Sequence, residues 1–337
     1  MRIGIIGSGA IGCLVAAHLK LKEEDVTLVG RPDSVKAIRE DGLQISGVRG
    51  NFRVEIDISE QLNYIPELVI LATKTQDIEY ALKDNISLIR DALILTTQNG
   101  VQADNIVAKY LPKKNIISSI VMFGATYLEP AKLVHNFEGS WIIGPSFDGK
   151  HPEGFLNLSQ ALNKAFPVVV TENIAGMKFL KIFANANNCL PAILGKSMQE
   201  VFSDPDISRI SIAIWQEGLE IINKAGINLI SLPGFPVENI TKLTSLPVVQ
   251  GAAVFSQIMK NLSQEPLYGS ILQSIMRGRS SEIDYINGEF VRLAEENNVY
   301  APLNKVLVDI VHQVEKNNRF FSKLELIEKT QGVVELK

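Results

Sequence analysis

The six residues Gly7-Ser8-Gly9-Ala10-Ile11-Gly12 follow directly on the apolar run Ile3-Gly4-Ile5-Ile6, and they constrain the fold more than any other feature of the chain. The spacing is G-x-G-x-x-G between a strand and a helix, the context in which it binds a dinucleotide pyrophosphate. The first glycine permits a tight turn and the second lets a phosphate approach the backbone. The third lets the helix pack on the strand, so that its first N–H groups face the anion. Ser8, Ala10 and Ile11 complete the turn. An apolar stretch from the N-terminus to Leu19 has the length of a secretory signal, but its glycines and the charged Lys20-Leu21-Lys22-Glu23-Glu24-Asp25 suit a strand-turn-helix unit.

The second strand chooses between cofactors. An NAD site usually carries Asp or Glu about twenty residues on, bonded to the ribose 2′-hydroxyl. In this chain Val26-Thr27-Leu28-Val29 runs into Gly30-Arg31-Pro32 with no carboxylate at the tip. Arg31 can instead pair bidentately with a 2′-phosphate, which favours NADPH.

The first half alternates short β-rich runs with helical patterns, the rhythm of an open parallel sheet. Strands are expected at 2–6, 26–29, 68–72, 93–96, 116–122, 132–137, 141–144 and 167–170, with helices at 10–21, 34–40, 78–89, 103–110 and 156–165. Beyond residue 170 long helical patterns take over, at 175–190, 207–225, 248–262, 280–297 and 303–316. The reading is an α/β fold: a dinucleotide-binding domain over 1–170 and a helical domain over 171–337. Ligands of such sheets bind outside the carboxyl ends of the strands. Lys74 and the run Gln98-Asn99-Gly100 fall there, so Lys74 can meet cofactor phosphate or ribose, and Asn99 ribose or substrate.

Composition narrows the partners. With 33 Lys+Arg against 37 Asp+Glu, the net charge is −4, which lacks the basic excess that dominates phosphate-backbone binding and disfavours nucleic acid. Cys13 and Cys189 fit no metal-ligand spacing, and His18, His135, His151 and His312 form no ligand motif. The apolar runs are too short for a membrane span. A cytoplasmic enzyme without a metal is expected.

The helical half carries one unusual stretch, Lys178-Phe179-Leu180-Lys181-Ile182-Phe183-Ala184-Asn185-Ala186-Asn187-Asn188. With Lys181 as origin, Asn185 lies at about 40° and Asn188 at about −20°, so the three form one polar stripe, while Asn187 at about 240° points elsewhere. A desolvated lysine has a lowered pKa and becomes a usable proton donor near neutral pH. A second constellation runs from Ser270 through Gly278-Arg279-Ser280-Ser281-Glu282-Ile283-Asp284 to Asn287-Gly288. Ser280 or Ser281 can cap a helix with Glu282 and Asp284 in its first turn. Spacing alone does not separate a site from two well-capped helices.

Taken together, the glycine turn, Arg31-Pro32, Lys74, Gln98-Asn99-Gly100, Phe179-x-Lys181-x-x-x-Asn185, Ser270, Gly278-Arg279-x-Ser281-Glu282-Ile283-Asp284 and Asn287-Gly288 resemble the ketopantoate reductase family over nearly the whole chain. The resemblance implies a Rossmann-type domain followed by an all-helical, 6-phosphogluconate-dehydrogenase-like domain, with NADPH-dependent reduction of a 2-oxo acid in the cleft between them. It implies that Lys181 donates a proton to the ketone oxygen and that Glu282 orients substrate, lysine or cofactor ribose. Asn185, Asn188 and Ser270 would bind substrate, Asn99 would bridge substrate and cofactor, and the backbone near Ala125 would line the cofactor. Three departures stand out: Phe179 where the family usually has tryptophan, Asn188-Cys189 one residue out of the family register, and Ser274 where aspartate is common. They leave open a paralogue acting on another 2-oxo acid. A non-catalytic NADPH-binding sensor is the third reading, and the retention of Lys181 and Glu282 speaks against it. The apolar helices suit a homodimer and an intrachain core equally.

Overall fold

The computed structural model describes residues 1–147, 149–263 and 265–333. Two compact units divide the chain, Met1–Ala175 and Gly176–Lys337.

The first unit contains β1 (Arg2–Ile6), β2 (Asp25–Val29), β3 (Leu43–Gly47), β4 (Phe52–Val54), β5 (Asp57–Ser59), β6 (Leu68–Leu71), β7 (Leu93–Thr96), β8 (Ile116–Val121), β9 (Gly124–Glu129), β10 (Lys132–Phe137), β11 (Trp141–Pro145) and β12 (Val168–Val170). Eight form a sheet in the order β12-β11-β8-β7-β6-β1-β2-β5, and four form a second sheet in the order β4-β3-β10-β9. The large sheet is parallel from β5 to β8, and β11 then runs antiparallel to β8. The chain leaves β1 for β2 on one side and returns to β6 on the other. The strand order therefore reverses at β1, where sheets of this kind open a crevice for ligands.

Strands β6 and β7 are buried at every position, because both faces of the sheet are covered. Ile3, Ile5, Leu68, Ile70 and Leu95 pack into one core, whereas Ile6, Val69, Leu71 and Ile94 pack into the other. The helix Ala10–Lys20 buries eight of its residues between the first face and the smaller sheet. Each such aliphatic side chain stabilises the fold by about 1.5–3 kcal/mol.

The expected α/β architecture is present, with differences in detail. Strands β3, β4, β5 and β9 had no counterpart in the sequence reading. They are three to six residues long, and Gly42, Gly47 and Gly50 break the first of these segments at positive φ. The helix expected at 78–89 is a 3-10 turn, Thr75–Asp77, followed by two short helices, Ile78–Lys83 and Ile86–Ile89.

In the second unit, the helix Pro205–Lys224 packs against Val248–Lys260, Asn287–Glu296 and Pro302–Asn317. The helix expected at 175–190 ends at Ala186, and a second one, Cys189–Leu194, starts after Asn188. Pro191 has no N–H to donate to Asn187, and the turn tightens instead through Leu190 N–H to the Asn187 carbonyl at 3.1 Å. The helix expected at 280–297 is a 3-10 turn, Ile283–Tyr285, followed by Asn287–Glu296. No helix among the described residues is long and apolar enough to cross a membrane.

Candidate active site

The glycine turn is built by close backbone approach. Gly7 has φ +121°, and a Cβ there would lie 2.6 Å from the Ala72 carbonyl carbon. A Cβ on Gly12 would stand 1.8 Å from the Gly7 oxygen, so the third glycine is needed for helix and strand to meet. Gly9 is different, because a Cβ there would meet nothing within 4 Å. It faces open space at the start of the helix Ala10–Lys20, whose first turn has no side-chain cap and no acid. That arrangement leaves helix N–H groups for an anion and fits a dinucleotide pyrophosphate.

The neighbouring strand tips carry the other candidates of this unit. Lys74 follows β6 and opens the 3-10 turn, and Asn99-Gly100 follows β7, with Gly100 at φ +85° for the sharp exit. Between them lies Gln98, the first residue of the Gln98-Asn99-Gly100 run, whose type and spacing alone point to no role. Its Nε2 donates to the carbonyls of Leu71 and Thr73, both at 2.9 Å. Arg31 stands at the start of the helix Pro32–Asp41, exposed and 3.8 Å from Asp77. Gly30, at the tip of β2, has no room for a side chain, since a Cβ would lie 2.5 Å from Ser8 Oγ. Ala125 lies on β9 and pairs with His135.

In the helical unit, Lys181 sits on the helix Ile174–Ala186. Leu180, Ile182, Phe183 and Ala186 are buried, while Lys181 and Asn185 are partly exposed on the opposite stripe. The rotation is held by Phe183, whose carbonyl accepts the Trp215 indole N–H at 2.8 Å and whose ring meets Phe290 edge-on. Burial brings the Lys181 ammonium down to about 8; buried Lys178, one turn earlier, pushes the same way, and Glu282 pulls back. Lys178 was part of the quoted stretch, and its i, i+3 spacing to Lys181 was the available signal.

Asn188 is not on the lysine helix, contrary to the stripe drawn from a continuous helix; it opens the next one. It packs against the Ser270 segment, where a Cβ on Gly269 would lie 3.1 Å from Asn188 Cγ. Ser270 begins the helix Ser270–Met276, and Ser274 Oγ donates to the Ser270 carbonyl at 2.9 Å. Gln199, unmarked in sequence, holds the approach to this turn by donating to the Glu265 carbonyl at 2.8 Å and accepting from Leu267 N–H at 3.0 Å. Cys189, beside the register change, is a buried thiol pushed up to about 12 by burial.

Glu282 precedes the 3-10 turn rather than lying in a first α-helical turn. Glu282 itself holds the N-cap position, without a side-chain capping bond, and Ser281 makes only a local turn contact, its Oγ accepting Ile283 N–H at 3.3 Å. The helix Pro302–Asn317 fastens the turn: Glu315 accepts the Ser281 N–H at 2.7 Å, and His312 lies 2.9 Å from Asp284 and 3.3 Å from Glu315. Burial opposes charge on His312, but the two carboxylates prevail and its pKa is raised. The isolated histidine of the sequence is thus part of a clamp on the Glu282 turn.

A turn built for a dinucleotide, on a doubly wound sheet, with a lysine of lowered pKa in a helical unit, defines a nicotinamide-dinucleotide-dependent oxidoreductase, and comparison with known proteins agrees. The family model described as Ketopantoate reductase PanE/ApbA matches residues 3–147, and its C-terminal counterpart matches residues 173–315; the chain belongs to the ketopantoate reductase family. It is 31% identical to a 2-dehydropantoate 2-reductase of Pyrococcus horikoshii over 92% of this chain and 96% of that one. It is 25% identical to the Archaeoglobus fulgidus enzyme of the same name, covering 93% of this chain and 98% of that one. Among solved structures, D-mandelate dehydrogenase with NADH and anilino(oxo)acetate superposes with TM-score 0.79 at 25% identity, covering 94% and 99% of the two chains. A family member from Ralstonia eutropha, at 24% identity and TM-score 0.80 over 94% and 99%, shares the fold.

Proposed function

We propose that this chain reduces 2-dehydropantoate to (R)-pantoate with NADPH, as a step of pantothenate and coenzyme A synthesis. In this reading residues 1–170 bind the cofactor and 171–337 bind substrate and supply the acid. The observation that carries it is Lys181, a partly buried ammonium with a pKa of about 8, coupled to Glu282. Such a lysine is charged at neutral pH yet gives up its proton readily, as a general acid must. A nicotinamide held at this edge would supply the hydride that the ketone carbon accepts. Lys181 Nζ donates the proton to the ketone oxygen, and Glu282 keeps the ammonium charged and oriented. Asn185, Asn188 and Ser270 bind the substrate hydroxyl and carboxylate, and Asn99 orients the ketone against the cofactor. The N–H groups of the turn Gly7–Gly12 hold the pyrophosphate, Lys74 holds phosphate or ribose, and the Ala125 backbone lines the cofactor.

Preference for NADPH is supported by two features of one strand tip. Arg31 is an exposed cation at that tip, 3.8 Å from Asp77, and Ser8 fills the space a ribose-binding carboxylate at Gly30 would need. A second reading, a paralogue taking another 2-oxo acid, is favoured by Ser274. That residue is buried and bonded to the Ser270 carbonyl, so the substrate lobe lacks the carboxylate common in the family.

Steady-state NADPH oxidation with 2-dehydropantoate and a panel of branched and aromatic 2-oxo acids tests both readings. The expected result is the highest kcat/KM with 2-dehydropantoate. A higher value for another 2-oxo acid replaces the first reading with the second, and no turnover with any of them removes both.

A further inference from the structure

We propose that Gln98 is a positioning residue for the dinucleotide edge: its side-chain amide sets the relative placement of Lys74, Asn99 and the glycine turn. The inference rests on the reading that this edge binds a nicotinamide dinucleotide.

The parallel ladder between β6 and β7 ends at the pair Leu71–Thr96. Beyond it, Thr97 still reaches the Leu71 carbonyl with its N–H at 3.3 Å and its hydroxyl at 2.8 Å. The Gln98 amide extends the connection two residues further. Nε2 donates to the Leu71 and Thr73 carbonyls at 2.9 Å each, and Oε1 accepts the Thr97 N–H at 3.1 Å. Gln98 is 6% exposed, so both donors and an acceptor are spent inside the protein. An amide matches this set of partners; a leucine would withdraw its donors from the Leu71 and Thr73 carbonyls, and a glutamate would set an anion against them.

The amide tethers the two residues that immediately precede Lys74 and Asn99. Thr73 is the residue before Lys74, and Gln98 is the residue before Asn99. The Ala72–Thr73 peptide is also the wall behind the glycine turn: a Cβ on Gly7 would lie 2.7 Å from Thr73 N, and one on Gly12 would lie 3.1 Å from Ala72 Cβ. A shift of Thr73 therefore moves Lys74 and disturbs the packing of the first and third glycines together. One buried side chain thus governs three groups at the edge assigned to the dinucleotide.

The test measures NADPH dissociation constants by nicotinamide fluorescence, with KM and kcat, on the full chain. Wild type, Lys74→Ala, Gln98→Leu and Gln98→Glu are compared at about pH 9.5 and about pH 5.5, on either side of the range where a buried glutamate protonates. At the higher pH both Gln98 variants bind NADPH about tenfold more weakly, as small displacements in a preorganised site do, with KM rising more than kcat falls. At the lower pH Gln98→Glu gains a proton and one donor, and it recovers part of that loss relative to wild type at the same pH. Gln98→Leu does not recover, a difference that a merely structural role would not produce. Wild-type affinity in Gln98→Glu at the higher pH, or variants that lose only thermal stability, overturns the proposal. Wild-type binding that Lys74→Ala weakens and both Gln98 variants leave alone overturns it while sparing the dinucleotide reading. No binding of NADPH or NADH by the wild-type chain overturns both.

Discussion

The two units present their candidate residues by different means. In the first, the groups that would meet a cofactor are mostly backbone, shaped by glycines at which a Cβ would lie only 1.8 to 2.7 Å from neighbouring backbone atoms. In the second they are side chains from separate segments. Lys181 is held by the packing of Phe183, Asn188 by the turn at Ser270, and Glu282 by a clamp from His312 and Glu315. Backbone geometry is written locally, as short motifs. Side-chain constellations are written in the long-range packing that supports them. The units also differ in their histidines: His18 is buried with a lowered pKa, whereas His312 has a raised one.

The sharpest break between the units should come from Lys181→Ala. We expect kcat to fall roughly 10²–10⁴-fold with NADPH affinity largely preserved, as for loss of a general acid. Turnover like wild type would remove Lys181 from the mechanism, and a parallel loss of NADPH binding would show that the division of labour is wrong.

The next largest effect is on stability against pH. Burial, with help from Arg49 and His135, lowers His18 from 6.5 to about 4. The unfolded chain accepts the proton that the folded chain resists, so stability is full above about pH 6.5 and falls toward pH 4, by about 3 kcal/mol in total. The raised pKa of His312 has the opposite sign: its contribution is present below about pH 6.5 and is lost as pH rises through the folded value. Each unit holds one of the chain's two tryptophans, Trp141 and Trp215, so the Trp215→Phe variant reports the first unit alone. Its urea midpoint by Trp141 fluorescence should drop between about pH 6.5 and 4, and His18→Phe should flatten that drop. An equally steep drop in His18→Phe would assign the acid sensitivity elsewhere.

Arg31→Ala should reduce the preference for NADPH over NADH by about 10- to 100-fold, the worth of a charge-assisted pair, without changing kcat for NADH. An unchanged ratio of kcat/KM values refutes a 2′-phosphate contact. The smallest effect is expected from Lys178→Met. A proton donor fails once deprotonated, so activity should decline above about pH 8, where Lys181 titrates. Removing the neighbouring positive charge favours the protonated lysine and should move that limb upward by a fraction of a unit. A limb in the same place would show that burial alone tunes Lys181.

Much of the first unit was legible because its signals are local. The glycine spacing, the missing carboxylate after Val29 and the apolar runs of β6 and β7 each state their structural meaning within a few residues. The short strands β3 to β5 were not legible, since three to five residues between glycines carry little periodicity, and only pairing with β10 and β2 orders them. The break before Cys189 was legible in principle, because Pro191 forbids a continuous helix through Asn187. Treating the helix as unbroken placed Asn188 on the Lys181 stripe, whereas the fold places it against Gly269. Gln98, Gln199 and His312 could not be read as they act, since the partners that join them to other segments lie 25 to 68 residues away.

The sequence by itself determined the class of fold, the glycine turn and the candidate lysine, because each depends on residue type at short spacing. Tertiary structure alone decided which carbonyls Gln98 joins, what turns the Lys181 helix and what grips the Glu282 turn. Those choices depend on which distant segments share a buried environment. Burial of polar groups demands partners, and only the fold determines which partners are within reach.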